Sequence, residues 1–216
     1  MGKIGSCDIV LCNLSNYEDS KFMSLNIWYK NVLRNPAEIA ALFPCSAETG
    51  MLMTAHLEGM DEGYVLELGS GMGALTECIL QRQVPEEKLI LIDKNKDFAN
   101  YLGQKYKDAN VITGDALDAF DLLQKMQIYE VTHIVCSLPL IIMPQEHQLA
   151  VLDAAFKLLQ PQGCFSTVTY FVRCPISQKI LDQYNKRSEL FGFTWKNLPP
   201  AYIYQIKEKQ NTGSSN

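Results

Sequence analysis

No apolar stretch in this chain of 216 residues approaches the roughly 20 needed to cross a bilayer as a helix. A helical membrane span is therefore not expected. Basic charge is also in short supply. The net charge of −5 argues against broad electrostatic binding to DNA or RNA, which needs a positive field. Seven cysteines are present, yet Cys7, Cys12, Cys45, Cys78, Cys136, Cys164 and Cys174 form no CxxC pair. That spacing suggests neither a zinc cluster nor a disulfide framework, and no metal site is expected. Several of these cysteines lie in apolar runs, as buried thiols do. The odd count without a secretory signal predicts a reducing, cytoplasmic setting. Repeats are lacking, and only the polar tail Asn211–Asn216 resembles low complexity. What remains is ordinary: 47% hydrophobic and 20% charged residues suit one folded domain with a full core.

The pattern along the chain divides it into four parts. Residues 1–20 show little periodicity and are expected to be loosely ordered. Residues 21–62 read as N-terminal helices. From Lys21 to Arg34, Phe22, Leu25, Trp28, Tyr29, Val32 and Leu33 share one face, opposite Lys30 and Arg34. Asn35-Pro36-Ala37-Glu38 reads as a helix start, and a second start at Pro44-Cys45-Ser46 leads into Ala47–Glu58. From 63 to 210 short apolar runs alternate with helical stretches. Strands are expected at Tyr64–Leu68, Lys88–Ile92, Asn110–Thr113, Val131–Ser137 and Cys164–Phe171. Helices are expected near Ala74–Gln83, Lys96–Tyr106, Ala116–Met126 and Gln145–Leu159. Beyond Pro175 one more helix, to about Arg187, precedes Leu190–Trp195 and Ala201–Lys207, a terminal hairpin. Residues 211–216 form a tail. Such alternation predicts an α/β fold: a doubly wound, mostly parallel, seven-stranded sheet carrying an N-terminal helical extension.

In a sheet of this kind ligands sit at the carboxyl ends of the strands, beside the first strand. The glycines fall there, in Glu67-Leu68-Gly69-Ser70-Gly71-Met72-Gly73. Glycine lets the chain turn sharply and approach a ligand without a Cβ in the way. The dinucleotide fingerprint would ask for one more glycine where Thr76 stands, which weakens a nicotinamide reading. Strand two ends in Asp93, a carboxylate able to accept both hydroxyls of a ribose. Strand three closes in Gly114-Asp115-Ala116, where Asp115 serves equally well as an N-cap.

As a set these residues resemble motif I and the two acidic positions of class I S-adenosylmethionine-dependent methyltransferases. The resemblance implies S-adenosylmethionine as cofactor. It implies that Gly69, Ser70, Gly71 and Gly73 line the methionine part, with Glu67 near its ammonium group. Asp93 and Lys94 would meet the ribose, Asp115 the adenine amino group, and the Ala116 amide the ring. Strand four ends Ser137-Leu138-Pro139-Leu140, where amino-directed methyltransferases carry a polar-x-Pro-aromatic motif. That implies catalytic positions at Ser137, Leu138, Pro139 and Leu140, with Ser137 also touching the cofactor. Leu140 replaces the aromatic that stacks a flipped base, which argues against an adenine acceptor.

Leu33-Arg34-Asn35-Pro36, Pro44-Cys45-Ser46, the glycine loop, Ser137-Leu138-Pro139-Leu140 and Trp195-Lys196-Asn197-Leu198-Pro199-Pro200-Ala201 together resemble bacterial-type phospholipid N-methyltransferases. Cys45 stands where that family usually has Ser, and no Gly separates Ser137 from Leu138. The resemblance implies methyl transfer to the amine of phosphatidylethanolamine, towards phosphatidylcholine, by attack of a neutral amine. Positioning alone can remove about 7–11 kcal/mol of such a barrier. Ser137 with water and His147 are the candidate proton acceptors; Tyr29 and Tyr170 are candidate substrate contacts, Tyr170 through a cation–π interaction. The partner expected is a phospholipid or another small amine, with peripheral contact at the inner face of a membrane. Either the Lys21–Arg34 helix meets that surface or it packs over the cleft as a lid. Met1-Gly2-Lys3-Ile4-Gly5-Ser6 also matches an N-myristoylation pattern, with Cys7 beside it. Competing expectations are an adenine-dimethylating nucleic-acid methyltransferase, a non-catalytic S-adenosylmethionine-binding protein and a nicotinamide-dependent dehydrogenase.

Overall fold

The computed structural model describes residues 46–60, 62–197 and 199–209. The Lys21–Arg34 helix, Tyr29, the Gly2 pattern and the 211–216 tail lie outside them. Ser46 opens helix α1 (Ala47–Met53), its hydroxyl accepting the Thr49 amide at 3.2 Å. The expected continuation to Glu58 is instead a short 3-10 turn over Ala55–Leu57. Then come β1 (Val65–Leu68), α2 (Ala74–Leu80), β2 (Leu89–Asp93), α3 (Lys96–Lys105), β3 (Asn110–Thr113) and α4 (Ala119–Lys125). They are followed by β4 (Val131–Cys136), α5 (Gln145–Leu158), β5 (Leu159–Thr169), α6 (Gln178–Gln183), β6 (Lys186–Thr194) and β7 (Ala201–Glu208).

The seven strands lie in the order β3-β2-β1-β4-β5-β7-β6. All neighbours are parallel except β7, which runs antiparallel to both β5 and β6. β1 and β2 are buried at every position, which is why, apart from Glu67 and Asp93, they are apolar throughout rather than alternating. One face of the sheet presents Leu66, Leu68, Ile90, Ile92, Ile134 and Phe165 to α4, α5 and α6. The alternate residues Val65, Leu89, Leu91, Val135 and Ile203 are equally buried but stand outside that cluster, as the two-residue period of a strand requires. α1 covers the β5–β7–β6 side and α3 packs against β2 and β3.

Further boundaries differ from the expectation. α6 stops at Gln183 rather than Arg187, because Asn185 takes a left-handed φ of 52° and turns the chain into β6. The helix expected from Ala116 begins as a 3-10 turn over Ala116–Asp118 and becomes α-helical at Ala119. β5 starts at Leu159: Val131 pairs with Leu159 but His133 with Cys164, so residues 160–163 are looped out around Pro161 and Gly163. Cys78, Cys136 and Cys164 are buried free thiols. No helix among the described residues is long and apolar enough to cross a membrane.

Candidate active site

The loop after β1 is tied down from below. The amides of Gly69 and Ser70 both donate to the Ile92 carbonyl, at 2.9 and 3.4 Å. Gly71 N–H donates to Asp93 Oδ2 at 2.7 Å, and Gly73 N–H to the Ser70 carbonyl at 2.9 Å. Four of the five amides from 69 to 73 therefore point into the protein. At Gly69, with φ +80°, a Cβ would lie 2.8 Å from Leu138 Cδ2, so only glycine lets the two loops meet. At Gly71, with φ +52°, a Cβ would meet nothing within 4 Å. The loop's outer edge is bare and open. A phosphate-binding loop needs free N–H donors. This one offers space instead, beside acidic side chains, and that suits a cationic ligand.

Glu67 supplies the first of those acids. It is 1% exposed, accepts the Thr76 hydroxyl on Oε2 at 2.7 Å, and leaves Oε1 buried without a partner. Burial pushes its carboxyl up to about 8, the Asp93 charge adds to this, and the Thr76 hydrogen bond opposes it. A buried carboxylate lacking a cation has this signature, so the residues present fit the ammonium and sulfonium charges of S-adenosylmethionine. Asp93, 8% exposed, accepts Gly71 N–H on one oxygen and Asn95 N–H on the other, at 2.8 Å. The Gly114 amide donates to the Asp93 carbonyl at 3.0 Å, which brings the end of β3 beside β2. There Asp115 caps the 3-10 turn by accepting Leu117 N–H at 3.1 Å, as its alternative role anticipated. Ala116 is buried beside it and Lys94 is exposed. Ser70 is buried, its hydroxyl aimed at no protein acceptor.

The segment after β4 differs from its expected geometry. Ser137 Oγ donates to the Gly69 carbonyl at 2.6 Å, so its proton is committed to holding the glycine loop. The hydroxyl remains an acceptor and is poorly placed to act as a base. The Leu138 carbonyl accepts Leu140 N–H at 2.8 Å in a tight turn about Pro139 (φ −78°, ψ 65°). Leu140, expected at the acceptor, is 1% exposed and belongs to the core. An apolar side chain at the mouth of a 3-10 turn gains more from that burial than from facing the cleft. Tyr170 follows β5 at the same end of the sheet and is half-buried; His147 lies exposed in the first turn of α5.

Three contributors were not legible in advance. Thr76, which in the sequence stands only where a dinucleotide fingerprint wants glycine, donates its hydroxyl to Glu67. Gln148 donates to the carbonyls of Leu140 and Pro175, at 2.7 and 3.1 Å, and so joins the loops after β4 and β5. Asn197 Oδ1 accepts both Ser46 N–H at 2.9 Å and the Thr49 hydroxyl at 3.1 Å. That contact unites two motifs about 150 residues apart in the chain. A polar residue recurring in a resemblance was the available signal for it.

Residues 65–163 match the family model described as a methyltransferase domain, a stretch that runs from β1 to the bulge of β5. An ornithine lipid N-methyltransferase of Singulisphaera acidiphila is 28% identical over 171 residues, 77% of this chain and 86% of that protein. A ribosomal RNA small subunit methyltransferase A of a Hydrogenobaculum species is 40% identical over 60 residues, 28% of this chain and 23% of its own length. The structure of a TehB-like SAM-dependent methyltransferase from Corynebacterium glutamicum superposes with a TM-score of 0.56 at 15% identity, covering 88% of this chain and 100% of that one. The glycine loop with its buried acids and the matched domain agree on an S-adenosylmethionine-dependent methyltransferase whose methyltransferase domain spans residues 65–163; the chain shares the fold of class I enzymes and resembles a lipid N-methyltransferase.

Proposed function

We propose that this enzyme methylates the amine nitrogen of a lipid head group. The observation that carries the reading is the long similarity to an ornithine lipid N-methyltransferase, which spans most of both chains. The Ser137–Pro139 turn, fixed against Gly69, supports it. S-adenosylmethionine supplies a methyl group on a sulfonium, and Glu67 and Asp93 would hold its ammonium and ribose, with Asp115 and Ala116 at the adenine. Ser137 Oγ, which donates to Gly69, and the Leu138 carbonyl, which accepts Leu140 N–H, would accept the N–H groups of the incoming amine and orient it. An ammonium has no lone pair for the reaction.

Phosphatidylethanolamine, as expected from the sequence, and ornithine lipid both present an amine on a lipid head. Incubation with methyl-labelled S-adenosylmethionine and vesicles of either lipid distinguishes them. Label in a lipid extract supports the reading, and label appearing only in added ribosomal RNA overturns it. The RNA alternative draws on the 40% identity to an rRNA methyltransferase, but that match covers 28% of the chain. Leu140, buried in the core, provides no stacking platform for a base.

A further inference from the structure

Large apolar side chains are left exposed at one end of the sheet. Ile142 (63% exposed) follows β4, Phe171 (52%) and Val172 (70%) follow β5, and Phe193 (52%) and Trp195 (73%) close β6. β4 and β5 are parallel, and β6 and β5 are both antiparallel to β7, so all three strands run the same way. Thr169 and Phe193 share one level, both paired with Tyr202. The exposed residues therefore crown the carboxyl end of the sheet, the end at which residues 69–73 close β1.

Single exposed apolar residues are ordinary; this group is distinguished by being held in place. Trp195 meets Phe193 edge-on at 6.1 Å, and Phe193 stacks on Tyr202 at 6.2 Å, giving a ridge of three rings. The Phe171–Val172 loop is pinned twice: Tyr204 hydroxyl donates to the Val172 carbonyl at 2.5 Å, and Phe171 N–H to Thr169 Oγ1 at 3.3 Å. Cations flank both parts. Arg173 is exposed beside Val172, and Lys196, whose side chain is 80% exposed while paired with Glu48 at 3.2 Å, adjoins Trp195. Aromatic and aliphatic side chains bordered by basic ones match the depth profile of a bilayer interface, apolar inward and cationic at the head groups. The chain as a whole carries −5, so attraction to an anionic surface has to be local, and Arg173 and Lys196 are the cations beside this rim.

We propose that the rim formed by Ile142, Phe171, Val172, Phe193 and Trp195, with Arg173 and Lys196, seats the protein on an anionic lipid surface with the cofactor cleft facing the membrane. The docking rests on the lipid reading above and adds to it a place and an orientation. A head-group amine then reaches the Ser137–Pro139 turn without the lipid leaving the bilayer.

Two tryptophans are present in the chain, Trp28 and Trp195, so Trp28→Phe in the full-length protein leaves Trp195 as the sole tryptophan, excited selectively over the tyrosines. It is mixed with vesicles of brominated phosphatidylcholine and phosphatidylglycerol in equal parts. Quenching of Trp195 is expected, together with co-flotation of the protein. Adding Phe171→Ser and Val172→Ser should lower the vesicle-bound fraction about tenfold while S-adenosylhomocysteine still binds, which shows the variant is folded. Flotation with Trp195 unquenched overturns the proposal, because contact is then made elsewhere. Absence of flotation overturns it too. So does sedimentation as a dimer that the two serines dissolve, because the ridge then joins two copies. Methylation of lipid in detergent micelles separates the two claims. Methylation without quenching leaves the lipid reading intact and removes the rim, whereas quenching without methylation does the reverse.

Discussion

At Glu67 a carboxyl group is buried with one oxygen lacking any protein donor, two residues before the loop that opens on the cleft. Its pKa of about 8 against an ordinary 4.5 means that the cofactor-free enzyme carries a proton there at pH 7. A neighbouring ammonium favours the carboxylate, so binding must expel that proton. Calorimetric titration with S-adenosylhomocysteine at pH 7, in two buffers of different ionisation enthalpy, should show release of about one proton, lost in Glu67→Gln. Equal heats in both buffers would contradict the assignment. Because the folded pKa is raised, Glu67's contribution to stability is complete below pH 4.5 and is lost as pH rises through about 8. The acid itself was legible from its place before the glycines. Its protonation was not, since it depends on complete burial, with the Asp93 charge nearby, which only the folded chain creates. Nor was the direction of the Ser137 hydroxyl, which the sequence allowed to face either the acceptor or the loop.

Among elements, α1 is the one held by distant residues. Ser46 N–H and Thr49 Oγ1 share Asn197 Oδ1, while Glu48 pairs with the exposed Lys196. Asn197→Ala should lower unfolding stability by about 1–3 kcal/mol, because buried donors lose their acceptor. Lys196→Ala should cost no more than about 1 kcal/mol; urea titrations that reverse this order would refute the bridge. Behind α1, His56 and His133 meet edge-on at 5.1 Å. Burial foremost, together with the Lys207 charge, lowers them to about 3 and about 4 from 6.5. A depressed histidine stabilises above its unfolded value and loses that contribution as pH falls from 6.5 towards the folded value. The melting temperature should therefore drop between pH 6.5 and pH 4, less steeply in His56→Leu; an unchanged slope would show the pair to be solvated. Strand and helix positions through β4 were legible because their apolar periods are long and uninterrupted. α6 and the start of β5 were not, because the left-handed turn at Asn185 and the looped-out residues 160–163 answer to sheet pairing rather than to local pattern.

For the molecule as a whole, the order β3-β2-β1-β4-β5-β7-β6 gathers residues 67, 93, 115 and 137 at a single end of the sheet. Their clustering was legible from the alternation of strands and helices, since each of these residues falls at or near the carboxyl end of its strand. The inward turn of the loop amides was not legible. It separates a site for a cationic nucleoside from a phosphate cradle, and it emerges only once Ile92 and Asp93 lie beneath the glycines. The most direct measurement is the calorimetric affinity of S-adenosylhomocysteine for the wild-type protein and for Asp93→Ala, with folding verified by circular dichroism. One-to-one binding, weakened about tenfold or more in the folded variant, is predicted. No uptake by folded wild-type protein, or equal affinity in the two, would contradict the site described.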